Sequence, residues 1–154
     1  MTSPPKSPSP DKLSIVLHSG AFDRVHYALV LAAAAAATDR PATLFFTQWA
    51  CRALLRPEAG PDGEERPGWR ALAVGEPGLD AAALDARFAA QGTGGFEELL
   101  RACAELGVRF LVCESGLAGA GLAAADLRDD LPLEIAGAVT FLQDASATGA
   151  TLFV

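Results

Sequence analysis

Thiols and imidazoles are the side chains through which this chain can most readily do chemistry: it has three cysteines and two histidines. Cys113 is placed best. It ends the apolar run Val108–Val112 and leads into Glu114-Ser115-Gly116. In parallel α/β sheets, ligands gather beyond the carboxyl ends of the strands. A thiol at such a strand end, facing a helix start, lies near unpaired backbone N–H groups that favour the thiolate, the nucleophilic form. The chemistry would be that of a nucleophilic thiolate, with Ser115 and Gly116 beside it in the turn. His18 follows the first apolar run and would move a proton. Cys51, just after the second run and near Trp49, is either a second thiol for the same site or packing. Cys103 falls on the apolar face of a helix and reads as core. The plain alternative for Cys113 is a buried cysteine used as a small apolar residue.

Ser19-Gly20-Ala21-Phe22-Asp23 is a strand-to-helix turn that could seat an anion. Ser19, Gly20 and Asp23 are therefore ligand-binding candidates alongside Gly116, with Asp23 also read as the helix cap. The turn has neither the GxGxxG nor the GxxxxGK[ST] spacing of nucleotide-phosphate loops. Thr93 reads as a cap for the helix that follows it. Glu97-Glu98 reads as favourable charge at a helix start, and Asp129-Asp130 as solvated loop. No CxxC, HExxH or GxSxG appears, and His18, His26, Cys51 and Cys113 lack metal-site spacing. No metal and no cofactor are expected.

These residues need elements to hold them. Leu13–Leu17, Ala42–Thr47, Val108–Val112, Leu133–Ala136 and Thr151–Val154 read as five short strands, the first two of them buried. Helices are predicted from Arg24 to Ala37, from Gln48 to Arg56, over Asp80–Ala90 and Phe96–Leu106, near Ala123–Leu127 and over Ala138–Ala147. Phe96, Leu99, Leu100, Cys103 and Leu106 follow the i, i+3, i+4, i+7 pattern most clearly. Cys113 to Gly121 reads as a turn of small residues. Strand and helix alternate, so the fold expected is α/β: three layers, α/β/α, around a mainly parallel five-stranded sheet. Residues 1–11, with four Pro and three Ser, read as a disordered tail, and 12–154 as one domain. Residues 57–93 read as a long Gly- and Pro-containing insertion with one short helix.

Composition excludes whole classes of function. The chain has 154 residues, which suits a single domain, and a net charge of −7 with no basic run. That charge argues against nucleic acid and against an anionic membrane surface. The longest strictly apolar run, Ala28–Ala37, is half of the ~20 residues that span a bilayer. No apolar stretch follows Lys6 as a leader would require, so a reduced, cytoplasmic protein is expected. Ala28–Ala37 is apolar almost all round and must be covered within the domain or by a second copy, which favours a homo-oligomer.

Four segments together resemble the DsrE/DsrF-like family, in the subgroup once labelled peroxiredoxin-like. They are Ser19-Gly-Ala-Phe-Asp23, Leu44-Phe-Phe-Thr-Gln-Trp49, Glu105-Leu-Gly-Val-Arg-Phe-Leu-Val-Cys113 with Ser115, and Gly137-Ala-Val-Thr-Phe-Leu142 leading to Leu152-Phe-Val154. The resemblance implies an α/β/α domain, oligomerisation and, as in sulfur-relay members, a cysteine that carries sulfur as a persulfide; Cys113 matches that position. It also implies a sulfur donor or acceptor protein as partner. Ala50-Cys51 stands where the family usually has Gly-Leu, and Glu114 and Gly116 depart from it too. The function expected is thus a sulfurtransferase-like carrier. The rival is a non-enzymatic oligomeric module holding a small ligand or metal in the same strand-end pocket.

Overall fold

The computed structural model describes residues 11–154; the tail expected at 1–11 therefore falls outside the described residues except for Asp11. In chain order the elements are β1 (Leu13–Leu17), α1 (Phe22–Ala37), β2 (Ala42–Phe46), a 3₁₀ turn at Gln48–Leu54, β3 (Glu58–Ala59) and β4 (Glu65–Arg66). A 3₁₀ turn at Gly68–Ala71, α2 (Ala81–Ala90), α3 (Phe96–Glu105), β5 (Arg109–Cys113) and α4 (Glu114–Gly119) come next. A 3₁₀ turn at Ala124–Asp126, β6 (Leu133–Ala136), α5 (Ala138–Asp144) and β7 (Ala150–Phe153) complete the chain. The main sheet is five-stranded and wholly parallel, in the order β6-β5-β2-β1-β7. Helices cover both faces, so the architecture is three-layer α/β/α, as the strand–helix alternation requires.

The two faces are unequal. On one, α1 and α3 pack over Ile15, Leu17, Leu44, Phe46, Phe110 and Val112 to form the larger core. The Ala-rich half of α1 lets α3 approach closely, and Ala28, Leu29, Ala32 and Ala35 are buried there. The opposite face carries a small core of Phe45, Leu111, Cys113, Ala136 and Phe141, covered by α5. Asp144 at the end of α5 clasps that helix to the sheet. It accepts hydrogen bonds from Thr43 at 2.7 Å and Arg109 at 2.6 Å and pairs with Lys12. Burial raises the Asp144 carboxyl, but the bonds from Lys12, Thr43 and Arg109 outweigh it and hold the group below the usual carboxylate range.

The insertion is built rather than loose. β3 and β4 form a small hairpin. Trp69 of the 3₁₀ turn is buried, stacks on Phe96 and donates to Glu97 at 2.9 Å. In α2, Asp80 caps the start by accepting from the Ala83 N–H, and Ala81 and Leu84 face the core as the sequence predicts. Two predicted caps are corrected. Helix α1 begins at Phe22, behind Ala21, and Asp23 is an exposed residue of its first turn. The free Phe22 N–H finds the Ala73 carbonyl of the insertion instead of a side chain. Helix α3 is capped at Gly95, not Thr93: Glu98 accepts from the Gly95 N–H and Asp85 from the Phe96 N–H at 2.7 Å. Glu97 and Asp130 are also more than exposed charge. Both bind Arg128, whose guanidinium is 3% exposed.

Among the described residues, no helix is long and apolar enough to cross a membrane.

Candidate functional site

Strand β5 runs straight into α4 with no intervening turn, which corrects the small-residue turn expected after Cys113. Cys113 is itself the cap: its backbone is extended, and its Sγ accepts from the Gly116 N–H at 3.4 Å. The Ser115 hydroxyl lies 3.2 Å from the same sulfur. Thr47, one residue beyond β2, stands near enough for its side chain to favour the anion as well. Register explains its presence. Phe46 is level with Val112 in the parallel pair, so the next residue along, Thr47, is level with Cys113.

Glycine at 116 is required by this packing. A Cβ there would overlap the Thr47 hydroxyl and sit 2.7 Å from the Gln48 amide nitrogen. The first turn of α4 therefore seats directly on the end of β2, and that contact holds the Ser115 hydroxyl and the Gly116 N–H against one sulfur with Thr47 close by.

These donors decide the electrostatics. Burial acts on Cys113 first and raises its thiol. Hydrogen bonds from the Ser115 hydroxyl and the Gly116 N–H, helped by the nearby Thr47 hydroxyl and Ser115 N–H, outweigh that, so the thiol lies below its ordinary range. The other two cysteines behave oppositely. Burial pushes Cys103 up to about 12. Burial, with a smaller contribution from the charge of Cys113, pushes Cys51 up to about 12 as well. Cys113 is only 4% exposed, but Ser115 beside it is exposed, so the sulfur is one hydroxyl away from solvent. Glu114 is exposed too and faces water.

The predicted supporting residues separate. Ser115 and Gly116 touch the sulfur, whereas His18 and Cys51 do not hydrogen-bond to it. His18 follows β1, two strands from β5 and thus about 10 Å away at ordinary strand spacing. Its ring packs on Phe153 with centroids 5.5 Å apart. Cys51 is buried in the core under α1 and α3, on the 3₁₀ turn that packs against α4; it is near enough for the charge of Cys113 to raise it but makes no hydrogen bond to that sulfur. The Ser19–Asp23 turn has used three of its N–H groups within the chain, while those of Gly20 and Asp23 have no partner among the described residues. The N–H groups of Ser19, Ala21 and Phe22 donate to the Val154 carbonyl, the Ser19 hydroxyl and the Ala73 carbonyl. Among the described residues, no three His, Cys, Asp or Glu side chains converge in a way that could hold a metal ion. Thr47 was not singled out in the sequence; the signal available was that neighbouring parallel strands end level with one another.

The chain is 28% identical over 159 residues to an uncharacterized protein, YrkE, of Bacillus subtilis (strain 168), covering 93% of this chain and 96% of that protein. Residues 9–153, the whole sheet and the Cys113 strand end included, match the DsrE/DsrF/DrsH-like family, and the chain belongs to that family.

Proposed function

We propose that the protein carries sulfane sulfur as a persulfide on Cys113. The observation that carries this reading is the contrast among its three thiols. Cys113 alone is drawn toward the thiolate, by the Ser115 hydroxyl and the Gly116 N–H set at a strand end, while burial pushes Cys51 and Cys103 the other way. The Cys113 thiolate would attack the outer sulfur of a persulfide donor. The donor S–S bond breaks, its electron pair leaves on the donor thiolate, and a new S–S bond forms at Sγ, with no net oxidation. The hydrogen bonds that favour the thiolate would equally favour the anionic persulfide. An acceptor thiolate then repeats the exchange in reverse. Membership of a family with sulfur-relay proteins fits this reading.

Intact-protein mass spectrometry after incubation with a sulfane-sulfur donor tests it. Wild type and Cys51→Ser are expected to gain one reducible sulfur, and Cys113→Ser none. Full loading of Cys113→Ser would overturn the proposal. Absence of loading in reduced wild type would favour the rival, a binding module whose thiol is packing.

We further propose that the working unit is a homo-oligomer joined through the α5 face. Val139 and Leu142 of α5 are each 69% exposed and share one side of that helix, and Phe153 of the edge strand β7 is 71% exposed. Three large apolar side chains left to water around the thinner sheet face fit burial against a second copy. Light scattering on the full chain is expected to give a multiple of the monomer mass, reduced to the monomer by Leu142→Glu with Phe153→Glu. A monomeric wild type would refute it.

A further inference from the structure

We infer that the pocket between the ends of β1 and β2 and the insertion, walled by Trp49 and Arg52, binds a small planar organic anion. The pocket has a volume of about 420 Å³, within the range of small-ligand sites. Its floor is largely apolar: Ala21, Leu72 and Ala73, with Ser19 at one side. It lies beyond the carboxyl ends of parallel strands, where such sheets hold ligands.

Two side chains give it specificity. Trp49 is 47% exposed, whereas the other tryptophan, Trp69, is buried and hydrogen-bonded. The Arg52 guanidinium lies 5.2 Å from the centre of the Trp49 ring. Among the described residues, Arg52, like Arg24, Arg40, Arg70 and Arg101, has no ion pair and donates no side-chain hydrogen bond; what sets it apart is its place over the Trp49 ring on the pocket wall. A large aromatic surface left in water and a cation left without an acceptor, side by side on one pocket, match a ligand with a flat ring and an anionic group.

The backbone fixes this arrangement. Gln48, immediately before Trp49, has φ of 50°, a left-handed conformation unusual outside glycine. Gly20 passes directly under the indole stem, where a Cβ would lie 2.9 Å from that of Trp49. The ring is thus positioned by two close contacts of the main chain rather than by burial. Two sources share the ligand chemistry: an aromatic carboxylate and a nucleobase monophosphate. The site does not involve Cys113, so this inference stands or falls separately from sulfur transfer.

Two-dimensional NMR of the ¹⁵N-labelled full chain tests it, because the two tryptophans give two indole N–H signals, assigned with Trp49→Phe. The probes are benzoate and AMP, with adenosine and inorganic phosphate as the uncharged and ringless halves. Saturable shifts of the Trp49 signal by benzoate or AMP are expected, with the Trp69 signal unmoved. Binding should weaken about tenfold or more in Arg52→Gln and for either half alone. Arg52 is exposed, so its replacement leaves the fold intact. The probe that binds tighter identifies the source. The inference is overturned if neither planar anion moves the Trp49 signal at millimolar concentration, or if Arg52→Gln binds as wild type does.

Discussion

Iodoacetamide added to the folded protein at neutral pH is expected to modify Cys113 and to leave Cys51 and Cys103 intact. Alkylation follows the thiolate fraction multiplied by access. For a thiol pushed up to about 12, as Cys51 and Cys103 are, about one molecule in 10⁵ is ionised at pH 7. A thiol below its ordinary range of about 8.5–9 has at least about one in 10² ionised. The expected ratio of rates thus exceeds about a thousandfold before the complete burial of Cys51 and Cys103 is counted. The pH profile follows the same physics. The Cys113 rate should rise through a midpoint below that of a free cysteine. Thr47→Val and Ser115→Ala should each move that midpoint upward, because each removes a hydroxyl that favours the anion while burial still opposes it. Peptide mapping after a time course reads all three sites at once. Equal labelling of Cys51 and Cys113 in the native protein would refute the assignment, as would a Cys113 midpoint at or above that of free cysteine.

Arg128→Met should destabilise the fold more than any other single replacement of a charged residue in the chain. The guanidinium is 3% exposed and donates to Glu97 at 2.7 and 2.9 Å and to Asp130 at 2.7 Å. Glu97 also accepts from Trp69. One buried cation thereby ties the Trp69 turn of the insertion, the start of α3 and the segment before β6 to one another. Without it, two carboxylates face each other with no cation between them. Breaking a fully buried pair costs roughly 3–5 kcal/mol. Glu97 and Asp130 keep partial contact with water, at 32% and 45% exposure, so the expected loss is nearer about 2–3 kcal/mol. That corresponds to a fall in Tm of about 5–10 °C for a domain of this size.

The loss should depend on pH with a definite sign. Burial raises Glu97 but its bonds from Arg128 and Trp69 outweigh it, and Asp130 is lowered chiefly by its bonds from Arg128. Both carboxyls are therefore below their unfolded values. The stability they contribute is complete above an unfolded pKa of about 4 and disappears as pH falls through the lower folded values. The gap between wild type and Arg128→Met should accordingly be widest near neutrality and shrink below pH 4. Urea unfolding of both proteins at a series of pH values checks this; a gap that widens with acidification would contradict it.

Much of the architecture was legible from local pattern. Short β-branched and apolar runs such as Leu13–Leu17 and Val108–Val112 can only be strands buried on both faces, and strands of that kind separated by helices make a parallel sheet. The periodicity of α3 and the Ala-rich run of α1 identified their elements directly, and the apolar spacing of Ala81, Leu84 and Phe88 located α2. Cys113 was legible for the same reason: the end of a buried strand is where an α/β sheet opens. What the sequence could not supply was everything carried by contacts between distant segments. Thr47 lies level with Cys113 because β2 and β5 are neighbours in register, and Gly116 is glycine because α4 rests on Thr47. Asp23 lost its capping role because the carbonyl of Ala73, some fifty residues away, reached the helix start first. His18 and Cys51 follow strand ends as Cys113 does, yet strand order sets His18 two strands away, and Cys51 turns into the core under α1 and α3 without bonding to the sulfur. Periodicity is written in neighbouring residues and fixes which elements form. Which donors meet at one atom depends on strand order and register, quantities that exist only once the chain has closed on itself.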